Sequence, residues 1–229
     1  MGRTARCPRQ CRHRFHPCRL PPRHGGQKPK QHTTMEKTTK RVADTLKQST
    51  KREEFKFSFF LPPARQVKPF RTTTITDVFN YILTDVDAQL ATQQLRTITN
   101  EREHRLFKSR SFAFATFSGV FSYRADKFLV AHSGLLCLDF DHVGDVYRVW
   151  ALKEKLIADE NFRTVLAFTS PSGDGLKWVI AIDLQRADHK TWFLAVSRYV
   201  KEKYRFDVDP QCANVSRACF LPHDAFCWA

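Results

Sequence analysis

The sequence predicts an α+β fold, a mixed or antiparallel sheet with hairpins and packed helices. Three observations carry that expectation. Short apolar runs bounded by Pro, Gly, Ser and Asp recur between residues 55 and 221 and read as strands. Amphipathic stretches that open on Thr or Asp lie between them and read as helices. The segment Thr164–Ile182 holds two strand-like runs joined by one tight turn, so it is a hairpin, which argues against a regular alternation of strands and helical crossovers.

Taken in order, the globular part starts near Glu54. Phe55–Phe60 is a first strand, stopped by Pro62-Pro63. Thr74-Ile75-Thr76-Asp77 opens a helix on which Val78, Ile82 and Val86 share a face. A second helical piece, Ala88–Thr99, carries Leu90, Leu95 and Ile98. Lys108–Gly119 reads as a strand, with Phe112, Phe114 and Thr116 alternating against Ala113, Ala115 and Phe117. Phe128-Leu129-Val130 and Leu135–Asp141 follow as strands. Asp145 begins a helix to about Ala158, with Val149, Leu152, Leu156 and Ile157 as its apolar stripe. Thr164–Thr169 and Leu176–Ile182 are the hairpin strands. Asp188 starts a helix to about Tyr204 that buries Trp192, Val196, Tyr199 and Val200. Asp207-Val208-Asp209-Pro210 ends that unit, and Ala218–Leu221 is a last short strand.

A hydrophobic fraction of 42% and 20 phenylalanines suffice for one sizeable core within 229 residues. Residues 1–34 carry nine Lys/Arg and no acid, so most of the net charge of +15 lies there. That stretch is rich in Arg, Pro, His and Gln and cannot build a core, so residues 1–53 are expected to be a disordered basic extension and 54–229 the folded domain. The basic stretch suits phosphate contacts with nucleic acid, but the stronger reading is that Met35 opens the more ordinary sequence and residues 1–34 are an upstream extension with no role. Cys7, Cys11, Cys18, His13 and His16 match no regular zinc-ligand spacing. The remaining cysteines are Cys137, Cys212, Cys219 and Cys227. An odd total of seven, with Cys137 inside an apolar strand, points to reduced thiols in a cytoplasmic protein. No segment approaches the length of a membrane span, and no secretory signal follows the charged N-terminus.

Leu135-Leu136-Cys137-Leu138-Asp139-Phe140-Asp141-His142 carries the most chemistry. Side chains at i and i+2 of a strand share a face, so Asp139 and Asp141 point the same way while Leu138 and Phe140 pack inward. Two acids in register at the end of a core strand are costly to desolvate unless a cation sits between them, and Mg²⁺ or Mn²⁺ prefers such oxygen ligands. The plainer alternative is a wet strand end that caps a turn or the next helix. A second cluster is the turn Ser170-Pro171-Ser172-Gly173-Asp174-Gly175 with Lys177 just after it. Its glycines allow close backbone approach to a phosphate; a plain hairpin loop needs the same residues. A third is Asp207/Asp209 with Arg217, either a completed metal site with a phosphate-clamping arginine or a surface salt bridge. Carboxylates that hold divalent metals, metals that hold a triphosphate, and cations that neutralise the rest are the parts of two-metal phosphoryl and nucleotidyl transfer.

Three segments together carry a resemblance: Ser133–His142, then Ser170–Lys177, then Asp209 followed by Ser216-Arg217-Ala218-Cys219-Phe220-Leu221. With Phe117-Ser118-Gly119-Val120-Phe121 and Arg124, they make residues 55–225 resemble the VirE N-terminal or BT4734-like domain of replication proteins from mobile elements, which is similar to the archaeo-eukaryotic primase superfamily. The resemblance implies an RRM-like catalytic core in which Asp139 and Asp141 match the metal-binding acid pair. Asp209 matches the third acid, with Asp207 as the alternative. Lys177 takes the place of a histidine that contacts the incoming nucleotide; a lysine binds phosphate but cannot act like a neutral imidazole. Ser170, Ser172, Gly173, Gly175, Lys177 and Arg217 are the implied nucleotide-binding residues, and Mg²⁺ or Mn²⁺ the implied cofactor. The implied partners are single-stranded or template DNA and nucleoside triphosphates. Members are commonly followed by a helicase-type ATPase. These 229 residues hold no Gly-x-x-x-x-Gly-Lys-Ser/Thr loop, so two expectations stand side by side, a truncated gene or a stand-alone domain that works with a separate helicase.

Two other functions fit parts of the pattern. In a haloacid-dehalogenase-type phosphatase Asp139 would be the nucleophile and Asp141 the acid/base, but that fold needs a parallel sheet where this chain has a hairpin. A non-catalytic nucleic-acid-binding module of the primase fold would use its Phe-rich strands for base stacking and Lys108, Arg110 and Arg124 for backbone contact.

Overall fold

The structure is a computed structural model and describes residues 54–229. The expectations for the basic extension, including the cysteines and histidines before Met35, lie outside the described residues. The domain is α+β, with five helices and three small antiparallel sheets.

Strand β1 (Phe57–Phe60) pairs with β2 (Arg71–Thr73) and β3 (Phe114–Thr116), and β3 pairs with β9 (Cys219–Phe220), giving the order β2-β1-β3-β9. β4 (Gly119–Phe121) and β5 (Leu129–His132) form a two-stranded ribbon. The third sheet is β6 (Leu135–Phe140), β8 (Leu176–Ala181) and β7 (Thr164–Thr169), with β8 in the middle. Between them run α1 (Ile75–Thr84), α2 (Val86–Leu95), α3 (Glu101–Ser111), α4 (Val146–Ile157) and α5 (His189–Tyr204).

The β6-β8-β7 sheet is buried on both faces, which is why its strands read as near-continuous apolar runs. Leu136, Leu138 and Phe140 face α4 and α5, where they pack with Val149, Leu152, Leu156, Trp178, Phe193, Val196 and Val200. Leu135 points the other way, into a second cluster with Phe57 and Phe59 of the four-stranded sheet, Ile82 of α1, Phe117 just after β3, and Phe168 of β7. Cys137 and Asp139 share that second face by the period of two. The helices start where capping residues stand: the side chains of Asp145 and Asp188 accept from the amides of Arg148 and Thr191 at 3.0 and 2.7 Å.

Several expectations need correction. Lys108–Ser111 is the last turn of α3 rather than the start of a strand. Asn100 caps that helix, Glu101 and Glu103 lie at its N-terminal end and Lys108 and Arg110 at its C-terminal end, each complementing the helix dipole. Residues 112–119 do not alternate, because all eight are buried. Val86 does not share the face of Val78 and Ile82: Asp85 ends α1 and caps α2, leaving Val86 exposed at the start of the second helix. That helix ends at Leu95, with Leu90 on its exposed side. On α5 the fully packed aromatic is Phe193, with Trp192 and Tyr199 partly buried beside it. β2 has no counterpart in the sequence reading. No helix among the described residues is long and apolar enough to cross a membrane.

Candidate active site

Asp139 lies one residue before the end of β6, and the register places it opposite Lys177 on β8. The two side chains, 15% and 5% exposed, form an ion pair inside the domain. Asp141 follows beyond the strand end and is exposed. Asp209 arrives from 68 residues further along. Its backbone N–H donates to the Asp139 carbonyl at 2.9 Å, and its side chain caps the short 3₁₀ turn Pro210–Ala213 by accepting from the Gln211 amide at 2.9 Å. Arg217 donates from Nη2 to Asp209 Oδ2 at 2.6 Å and from Nη1 to Gln211 Oε1.

These placements bring Asp139, Asp141 and Asp209 together: one carboxylate oxygen from each lies within 4.8 Å of the others. Asp139 Oδ1 is buried and, among the described residues, has no hydrogen-bond partner. A buried carboxylate oxygen without a donor is costly, and a divalent cation is a group that would satisfy it. The donor set, three carboxylates and no nitrogen or sulfur, fits a hard ion such as Mg²⁺ or Mn²⁺. Burial raises the Asp139 pKa and Asp141 adds to it, while Lys177 opposes both. Burial alone would lower Lys177, but the charge of Asp139 beside it reverses the sign and holds the ammonium protonated.

A narrow cleft opens beside this cluster, lined by Phe117, Ser118, Cys137, Asp139, Cys212 and Arg217 among others. Cys137, Cys212 and Cys219 are free thiols, as is Cys227. Burial raises Cys212 to about 12, and a hydrogen bond with Cys219 together with burial raises Cys137, so both stay protonated.

The Ser170–Gly175 turn adjoins the acid end of β6, and its residues divide between two tasks. The Ser170 hydroxyl accepts from the Gly175 amide at 3.1 Å and closes the turn from inside. Gly175 has to be glycine, since a Cβ there would stand 2.5 Å from the Phe140 carbonyl. Gly173 adopts φ +89, a conformation that favours glycine. Ser172 and Gly173 line a separate open groove with Arg96, His223 and Phe226. Arg96, at the end of α2, donates from Nε to the Pro171 carbonyl at 3.2 Å and buttresses the turn. No local pattern around Arg96 marks it for this place. Asp174 pairs instead with His142, Oδ2 to Nδ1 at 2.8 Å.

A chain of imidazoles holds the Asp209 turn from the other side. The Gly134 amide donates to His132 Nδ1 at 3.0 Å, so His132 carries its proton on Nε2 and donates to His189 Nδ1 at 3.2 Å. His189 Nε2 then donates to the Cys212 carbonyl at 3.3 Å.

No curated protein and no solved structure matches the chain. The family described as BT4734-like, N-terminal domain matches residues 107–228, a span that runs from the end of α3 through all three acids to the last residues. A match over more than half of the chain settles membership: the protein belongs to the BT4734-like N-terminal domain family.

Proposed function

We propose that this domain is a primase/polymerase-like nucleotidyltransferase of a mobile-element replication protein, which adds nucleotides on a DNA template with Mg²⁺ or Mn²⁺. The observation that carries the reading is the convergence of Asp139, Asp141 and Asp209 around a buried, unpartnered Asp139 oxygen. Those three residues would hold the metal, which when bound supplies positive charge that polarises a phosphoryl group. Lys177 keeps Asp139 in place and ionised. Arg217 orients Asp209 and retains some exposure to meet a phosphate. The backbone of Ser172–Gly175 would approach the nucleotide, with Ser170 holding the turn closed. Template DNA, nucleoside triphosphates and a separate helicase-type ATPase are the partners of this reading.

A second reading has its own observation. Lys177 and Arg217 already neutralise Asp139 and Asp209 from within the protein, as a DNA-binding module that has given up catalysis would require. Nucleotide incorporation on single-stranded DNA with Mg²⁺ or Mn²⁺ separates the two, comparing the parent with an Asp139→Ala, Asp141→Ala double variant. Product from the parent alone supports nucleotidyl transfer. No product from either, with DNA binding intact in both, supports the binding module.

A further inference from the structure

Both cations expected at the acid cluster are engaged by carboxylates, Lys177 by Asp139 and Arg217 by Asp209. A third cation reaches the same place from α3. Lys108 stands in the last turn of that helix with its Nζ 5.7 Å from the centroid of the Phe220 ring. Phe220 directly follows Ala218 and Cys219, which line the cleft together with Asp139 and Arg217. The charge of Lys108 is felt at Asp139. Yet among the described residues the ammonium has no ion pair and no hydrogen bond, only the aromatic face beneath it. Burial, and then the Lys177 charge, lower its pKa, while Asp139, Asp141 and Asp174 act against that shift.

Arg124 is a further cation on this side. Its guanidinium donates to two backbone carbonyls, Gln66 at 3.2 Å and Ala64 at 2.7 Å, and lies 5.1 Å from the Phe114 ring centroid. These carbonyls take up two of its N–H groups but do not neutralise its charge, and Arg217 is close enough to repel it. A half-buried ammonium without a counter-ion is costly unless an anion completes its surroundings. An anion seated there lies beside three carboxylates, which repel it unless a divalent cation is shared between them. Phosphate esters are the anions that bind in company with such a cation.

We propose that Lys108 is a further phosphate-binding residue of this site, receiving a phosphate oxygen of a nucleoside triphosphate or of a DNA strand beside the three carboxylates. The choice of phosphate rests on the nucleotidyl-transfer reading, and Lys177 serves as the internal counter-charge. The test uses the full chain with Mg²⁺ and two probes, inorganic triphosphate by calorimetry and an oligothymidylate strand by fluorescence anisotropy. Lys108→Gln is expected to weaken one probe by about tenfold or more, the size of a lost charge-assisted hydrogen bond. Lys108→Arg should restore binding, and Lys190→Gln, an exposed charge on α5, should leave both probes unchanged. A loss confined to triphosphate assigns the nucleotide. A loss confined to the oligonucleotide, with a shallower salt dependence, assigns the strand. The proposal is overturned if the parent binds neither probe, or if Lys108→Gln stays within about twofold on both. It is also overturned if Lys108→Arg is as weak as Lys108→Gln and both melt early, since the role is then structural. Failure of nucleotide incorporation with Lys108-dependent binding intact would sink the transfer reading and leave the phosphate site standing.

Discussion

Lys177→Met removes the cation from a pair whose side chains are 5% and 15% exposed, and leaves the Asp139 carboxylate with one oxygen already lacking a partner. Breaking a buried pair from one side costs about 3–5 kcal/mol, mostly the penalty of the charge left behind. Asp139 sits at the mouth of a cleft rather than in the deep core, so the lower end of that range, about 3 kcal/mol, is expected. In a domain of this size that lowers the melting temperature by roughly 10 °C. Urea unfolding at neutral pH measures it directly. Burial raises Asp139 in the folded state above its unfolded value, so folded protein takes up the proton first. The loss should therefore be largest at neutral pH and shrink as pH falls through the raised pKa toward the unfolded one. Two further variants separate charge from packing. Lys177→Met with Asp139→Leu should recover most of the loss, because a matched apolar pair leaves no buried charge. Mn²⁺ should raise the melting temperature of Lys177→Met more than that of the parent, since the ion takes over the task of the missing ammonium. A Lys177→Met protein within about 1 kcal/mol of the parent at neutral pH would refute the reasoning.

Three further outcomes are expected. Burial, and then His189, depress His132 to about 4 from an ordinary 6.5, so its contribution to stability is complete above 6.5 and lost as pH falls through 4; urea midpoints across that window should fall in the parent and flatten in His132→Phe. Gly175→Ala forces a methyl against the Phe140 carbonyl and should cost about 1–3 kcal/mol by chemical denaturation. Lys153 donates to the Phe226 carbonyl at 2.6 Å and lies 3.7 Å from the buried Asp224, so Lys153→Met should cost about 3–5 kcal/mol and expose the last residues to limited proteolysis.

What the sequence made legible follows from how local each signal is. Thr164–Thr169 was readable to the residue because Thr and a Ser-Pro-Ser-Gly turn punctuate it. Asp145 and Asp188 marked their helices because capping is a short-range hydrogen bond. α3 was lost for a physical reason: none of its residues is buried, so it has no apolar stripe to betray it, and the neighbouring run Phe112–Phe117 drew the strand boundary too far back. The pairing of Asp139 and Asp141 on one face follows from the period of two. Their approach to Asp209 does not, since it depends on one backbone hydrogen bond between Asp209 and Asp139, 70 residues apart. The partner of Lys177 was equally hidden, because it is fixed by the β6·β8 register and by no pattern within either strand.

Among the described residues β6 pairs with one strand only, β8, so its other flank is a sheet edge. The segment that delivers Asp209 lies along that flank at the acid end, with its amide on the Asp139 carbonyl. One stretch of chain thus both delivers the third carboxylate and covers part of an edge where another molecule's strand could add. A chain cut short of Asp209 would lose its third carboxylate and at the same moment uncover an edge built of Leu, Cys and Phe. Edge protection and the three-carboxylate cluster are tied to the same few residues here, and neither can drift far without the other.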